Sequence, residues 1–166
     1  IITEANLIPT DKTGLDHWLS LTAWTATLPD GTSTWPPAAE SGVRGVLVLI
    51  RKTFAAQWDL TFTTILPQYV VHLAVASKGG DVVGSVTGVY FQTGNPAFEA
   101  GQIQDTQRAL QRLGVGQGGQ RLDLLVGDFN CVTSVGDRYA HAKDDRLWLD
   151  LLEIRLDDGE LVILNL

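Results

Sequence analysis

The sequence predicts a layered α/β sandwich, in which two packed, mainly antiparallel sheets are flanked by helices. The first reason is a series of strand patterns joined by short turns before Asn95. The second is a change to alternating helix and strand patterns after that residue. The third is size, because 166 residues with 45% hydrophobic residues suit one domain with a sizeable core. Strands and helices packed around one core are typical of layered α/β folds.

Ile1 to Glu4 is interpreted as the end of a strand, and four further segments carry strand patterns in the first part of the chain. Val43 to Arg51 contains an unbroken apolar run, which is typical of a strand covered on both faces. Asp59 to Leu66 alternates and is rich in threonine, as in a half-exposed strand. Gln68 to Ser77 and Val82 to Phe91 are joined by Lys78 to Asp81, whose glycines suit a hairpin turn. Three or four of these strands in series, with short turns, are expected to form an antiparallel meander.

Helical spacing of apolar residues appears in three places. It predicts helices over Gly14 to Ala23, from Asn95-Pro96 to about Leu113, and over Asp144 to Arg155. Short apolar runs at Leu122 to Val126 and Leu161 to Leu164 predict strands that follow the second and third helices. We therefore treat residues 1–166 as one domain.

Composition narrows the classes of function. The formal net charge is −7 and the sequence pI about 4.7, so the broad basic surface typical of non-specific nucleic-acid binding is absent. One cysteine, Cys131, cannot form an internal disulfide, which favours an intracellular setting. No apolar run approaches the roughly 20 residues of a membrane helix, and no signal-peptide pattern opens the chain, so we expect no membrane partner.

The sharpest local pattern is the apolar strand that runs into Gly127, Asp128, Phe129 and Asn130. In an extended chain, alternate residues share a face, so Asp128 and Asn130 would point together into a site while Phe129 enters the core. A strand end can hold an acid and an amide in fixed geometry. The alternative is a turn in which Asp and Asn bond only to the neighbouring backbone.

Gly127 to Asn130 after a buried strand resembles the signature of the endonuclease/exonuclease/phosphatase family. Ile2-Thr3-Glu4 resembles that family's early strand ending in a metal-binding Glu, and Arg44 to Arg51 its glycine-led central strand. Val89-Tyr90 resembles the strand end that carries a phosphate-contacting Tyr. With Cys131-Val132 and Asp137-Arg138 following the signature, the chain looks most like the endonuclease domain of LINE-type retrotransposons.

The resemblance implies hydrolysis of a phosphodiester with Mg²⁺, or Mn²⁺ in its place, and DNA nicking in the nucleus. Glu4 would bind the metal, Asp128 would activate the attacking water, and Asn130 and Tyr90 would position the phosphate. The family also has an Asn before the Glu and a closing Asp and His, for which this chain has no counterpart. We therefore expect a domain truncated at both ends, inactive by itself and active within an intact parent.

Two alternatives stay open on the sequence. A phosphatase of lipid or inositol phosphates shares the same fold, and the acidic net charge of −7 is compatible with it. A catalytically dead binding module would have kept the fold and lost the site. The three histidines do not indicate a site, because His17, His72 and His141 lack metal-ligand spacing. We expect His72 to be a strand residue that faces a rim.

Overall fold

The computed structural model describes residues 1–5, 9–36, 45–91, 96–116, 121–129 and 160–165. Its elements are α1 (Pro9–Leu21), β1 (Trp24–Thr25), β2 (Ile50–Arg51), α2 (Lys52–Gln57), β3 (Asp59–Leu66), β4 (Val70–Ala76), β5 (Val82–Tyr90), α3 (Pro96–Arg112), β6 (Leu122–Asp128) and β7 (Glu160–Asn165). The predicted helix over Asp144 to Arg155 lies outside the described residues. Among the described residues, no helix is long and apolar enough to cross a membrane.

The larger sheet has five strands in the order β3-β4-β5-β6-β7. The pairs β3–β4 and β4–β5 are antiparallel, which confirms the predicted meander, whereas β5–β6 and β6–β7 are parallel. The β4–β5 hairpin turns where predicted, with Gly80 at a φ of 92°. Because α3 returns the chain between two parallel strands, the carboxyl ends of β5 and β6 meet at one edge of the sheet.

The layers follow from three apolar clusters. Ile103 and Leu110 of α3 pack on one face of the larger sheet, against Val70, Val89 and Leu125. On the opposite face, Val71 and Leu73 contact a layer formed by the segment around Val46, Val48 and Ile50. Leu47, on the far side of that layer, packs with Leu19 of α1. The order is therefore α1, small sheet, large sheet, α3, which confirms the layered α/β sandwich.

The small sheet is less regular than the sequence predicts. Val46 to Val48 are buried as expected, but among the described residues the pairing in this layer consists of β1–β2 and two isolated antiparallel bridges, Leu47 with Ile2 and Thr27 with Ser33. Val43 and Arg44 of the expected strand lie outside the described residues, and of the remainder only Ile50–Arg51 form a strand, so the expected extent was wrong. An apolar run indicates burial and does not by itself indicate hydrogen-bonded pairing. Helix α1 also begins earlier than predicted and passes through Gly14, whose backbone has open space around it.

Lys52 fixes α1 to the small sheet. Its Nζ donates hydrogen bonds to the carbonyls of Leu19, Ser20 and Thr22, at 2.9, 3.3 and 2.7 Å. A cation is favoured at a helix C-terminus, where the last carbonyls lack partners within the helix. Helix α1 has no basic residue in its own last turn, so Lys52 supplies that charge from the start of α2.

A buried polar cluster lies on the α3 face of the larger sheet. The fully buried carboxylate of Asp123 accepts hydrogen bonds from Ser85 Oγ at 2.6 Å, from the backbone N–H of Gly116 at 2.7 Å and from Arg121 Nη2 at 3.0 Å. It thereby ties the turn after α3 to β5 and β6. The cluster stabilises the parallel half of the sheet, which carries the predicted site.

His72 is buried on the same face, with Nδ1 2.9 Å from Thr87 Oγ1, so the expected position at a rim was wrong. Burial lowers the pKa of His72 below its usual 6.5; Asp123 opposes this effect and Arg121 adds to it. The folded state therefore binds fewer protons than the unfolded chain. The stability gained by a neutral His72 is complete above pH 6.5 and is lost as the pH falls towards the folded pKa.

We expect the free energy of unfolding to fall below pH 6.5 with a His72 contribution of at most about 1.4 kcal/mol per pH unit. Urea denaturation between pH 5 and 8 measures this slope. His72→Gln removes the titrating group and keeps a polar side chain next to Thr87. An unchanged slope in that variant would contradict the assignment.

Candidate active site

Two predicted site residues lie side by side at the carboxyl edge of the larger sheet. Tyr90 ends β5 and Asp128 ends β6, and the parallel register pairs them directly. The backbone N–H of Phe91 donates to the carbonyl of Asp128 at 2.9 Å and closes the ladder at this point. Because residues paired in a parallel register point to the same face, both side chains project towards the small sheet.

Glu4 reaches the same place from the other sheet. Hydrogen bonds between Ile2 and Leu47, and from the N–H of Ala5 to the carbonyl of Gly45 at 2.9 Å, place the first residues along the small sheet. Across the gap between the layers, the Tyr90 hydroxyl donates a hydrogen bond to Glu4 Oε1. The structure therefore joins Glu4 to Tyr90, 86 positions away in the chain, and Tyr90 is the neighbour of Asp128 in the strand register.

Tyr69 contacts Tyr90 through both its ring and its backbone, and the sequence did not predict this contact. The two rings stack with centroids 6.3 Å apart and planes at 9°, and the N–H of Tyr90 donates to the carbonyl of Tyr69 at 2.7 Å. Tyr90 is 5% exposed, so its ring belongs to the core between the sheets. Because the Tyr90 ring is buried and stacked on one face, its hydroxyl has little freedom of position.

Unusual backbone conformations adjoin this cluster. Among the described residues, the non-glycine residues with positive φ are Glu4, at 49°, and Gln68, at 70°. Gln68 lies in the turn that presents Tyr69 to Tyr90, closed by a hydrogen bond from Tyr69 N to Leu66 O at 3.0 Å. Such conformations are uncommon for side-chain-bearing residues, and they concentrate at functional sites.

The structure explains why residue 127, the first residue of the Gly127 to Asn130 signature, is a glycine. Its φ is 150°, and a Cβ atom built there would lie 1.9 Å from the carbonyl oxygen of Val89 on β5. Any side chain would push the two parallel strands apart next to Asp128. The glycine therefore keeps β6 close to β5, and this closeness sets the register between Asp128 and Tyr90.

The face assignment of Phe129 is confirmed. Phe129 is 4% exposed and makes an edge contact with Phe91, with ring centroids 6.1 Å apart, on the α3 side of the sheet. Asn130 lies outside the described residues, as do Cys131, Asp137 and His141. The proposed pairing of Asp128 with Asn130 on one face stays a prediction.

The donor set at this edge suits a hard cation with few protein ligands. Glu4 and Asp128 offer carboxylate oxygens, and the described residues contain no group of three or more acidic, His or Cys side chains placed to hold a metal. Mg²⁺ is commonly bound through one or two carboxylates and keeps several waters, so two carboxylates fit it better than Zn²⁺. The single proton of the Tyr90 hydroxyl is used on Glu4, so in this arrangement Tyr90 orients Glu4.

Comparisons with known proteins identify no relative of this chain. No protein-family model matches the chain, and searches of curated proteins and of solved structures give no significant match.

Proposed function

We propose that the chain carries the site of a metal-dependent phosphodiesterase that nicks DNA, with Mg²⁺ or Mn²⁺ as the cofactor. The observation that carries this proposal is the meeting of Glu4, Tyr90 and Asp128 at one sheet edge, through the Tyr90–Glu4 hydrogen bond and the Tyr90–Asp128 register. The resemblance of Gly127 to Asn130 to the endonuclease/exonuclease/phosphatase signature supports the same chemistry.

Each residue has a role that its chemistry suits. Glu4 would bind the cation, which supplies positive charge to offset the negative charge that develops on the phosphate. Asp128 would accept a proton from the attacking water while the water oxygen bonds to phosphorus and the bond from phosphorus to the leaving oxygen breaks. Tyr90 would keep the Glu4 carboxylate oriented, and Asn130 would position the water and the phosphate.

A phosphatase acting on lipid or inositol phosphates is the second candidate, because a net charge of −7 disfavours a long polyanionic substrate. The two candidates differ in product. The nuclease converts supercoiled plasmid to the open circle, whereas the phosphatase releases free phosphate from an inositol phosphate. Both activities should disappear when EDTA removes the metal, and both are assayed on the full-length gene product.

Metal binding tests the site without relying on turnover. We expect the chain to bind Mn²⁺, measured as loss of the free-ion signal in electron paramagnetic resonance. Glu4→Gln should weaken the affinity at least about tenfold, a change of about 1.4 kcal/mol. Tyr90→Phe keeps both carboxylates and removes the orienting hydroxyl, so it should weaken binding by about 10–100-fold, as loss of an outer partner does.

The matched control is Asp81→Asn, which removes one exposed carboxylate in the β4–β5 turn, at the opposite end of β5 from Tyr90. Its Mn²⁺ affinity should equal that of the unmodified chain. Failure to bind Mn²⁺, or equal losses for Glu4→Gln and Asp81→Asn, would refute a metal site at Glu4.

A further inference from the structure

Strand β3 is an outer strand of the larger sheet as formed by the described residues. It pairs with β4 on one side, and on its other side the described residues contribute no strand and no backbone hydrogen bond. All eight residues of β3 are exposed or half-exposed, whereas β4 and most of β5 are buried. A row of backbone donors and acceptors therefore faces outward, and the group best shaped to satisfy such a row is another strand.

The usual protection of an open edge is weak in β3. Asp59–Leu66 contains no proline, glycine or lysine, and its one irregularity, between Thr64 and Leu66, lies near its end. Phe54 of α2 is 37% exposed and packs beside Trp58, with ring centroids 6.0 Å apart, immediately before the strand. Eight extended residues next to the exposed Phe54 and the half-exposed Trp58 offer both hydrogen bonds and apolar area to a partner.

Charge favours a second copy of the same chain at this edge. The chain as a whole carries −7, which opposes self-association over most of its surface. Asp59 is the charged residue of β3, and Lys78 forms a 2.6 Å ion pair with it. The edge is therefore close to neutral on an acidic protein, so two copies can meet here with little repulsion.

We propose that two copies of this chain associate through β3, antiparallel to each other, about a two-fold axis perpendicular to the sheet. Pairing centred on Phe62 sets Phe62 against Phe62 and Thr61 against Thr63 of the other copy. Paired residues then share a face, so α3 lies on the same side of the joined sheet in both copies. Aromatic and threonine pairs across strands are favourable, and this register places no two acids opposite each other.

Sedimentation velocity across a range of concentrations tests this dimer. The unmodified chain should approach twice its mass of 18.0 kDa as concentration rises. Thr61→Lys introduces a charge next to Thr63 and should weaken the dimer at least about tenfold, equivalent to about 1.4 kcal/mol. Thr13→Lys makes the same change at an exposed position of α1 and should leave the dimer unchanged.

Hydrogen exchange identifies the surface involved. Backbone amides of β3 that face outward should gain protection with increasing concentration, while those of the exposed turn at Gly79 and Gly80 should not. A chain that stays monomeric at millimolar concentration would overturn the proposal. A dimer that Thr61→Lys and Thr13→Lys affect equally, or that leaves β3 exchange unchanged, would also overturn it, because a different surface would then hold it.

Discussion

Replacing Asp128 with asparagine is expected to lower phosphodiester cleavage by about 10²–10⁴-fold, the range over which a positioned acid or base contributes to catalysis. The amide has nearly the shape of the carboxylate but cannot accept a proton from the attacking water. The backbone of Asp128 pairs with Tyr90 and Phe91, and those hydrogen bonds do not depend on its side chain. The loss should therefore appear in kcat for plasmid nicking by the full-length gene product at saturating Mg²⁺.

The control for this variant is Asp59→Asn, which neutralises an exposed carboxylate at the start of β3. It should nick plasmid at the unmodified rate. Thermal unfolding of both variants shows whether the fold is intact. Near-full activity in a folded Asp128→Asn protein would sink the assignment of Asp128 as the proton acceptor.

Replacing Asp123 with alanine is expected to lower the free energy of unfolding by about 3–5 kcal/mol, the usual cost of breaking a buried ion pair. Its side chain is 1% exposed and that of its partner Arg121 17%, so loss of the carboxylate leaves a largely desolvated cation unpaired. The hydroxyl of Ser85 and the N–H of Gly116 lose their acceptor as well. Such a loss is a large part of the total stability of a typical domain.

Urea denaturation measures this difference. Asp105→Ala is the matched comparison, because Asp105 also pairs with an arginine, Arg108, at 3.3 Å, but both side chains are more than half exposed. Its removal should cost no more than about 1 kcal/mol. Equal effects of the two variants would show that the cluster around Asp123 stabilises the sheet less than its burial indicates.

The strands of the larger sheet could be predicted because their signals are local. Asp59–Leu66 alternates in sequence, and the β4–β5 turn contains the glycines that its backbone needs. The small sheet could not be predicted in the same way, since its pairing of Ile2 with Leu47 depends on residues far apart in the chain. Helix α2 has six residues, too few to show a helical period.

The site divides in the same manner. Tyr90 and Asp128 stand at the ends of recognisable strands, so a parallel register was enough to bring them together. Glu4 was proposed only through the resemblance, because a lone acid near a strand end has no local signal. Tyr69 was missed, since its role depends on the positive φ of Gln68, a residue type that does not favour that conformation.

The segment that carries Glu4 has a consequence for how the site assembles. Residues 1–5 are held by hydrogen bonds to Leu47 and Gly45 and by the Tyr90 hydroxyl, whereas Tyr90 and Asp128 belong to a continuous ladder. A short segment held by few hydrogen bonds opens at a lower free energy than a sheet core. The two halves of the site therefore belong to units of different local stability. If a ligand binds both Glu4 and Asp128 in the proposed site, it would hold residues 1–5 in place, and the protein would then be most rigid with that ligand bound.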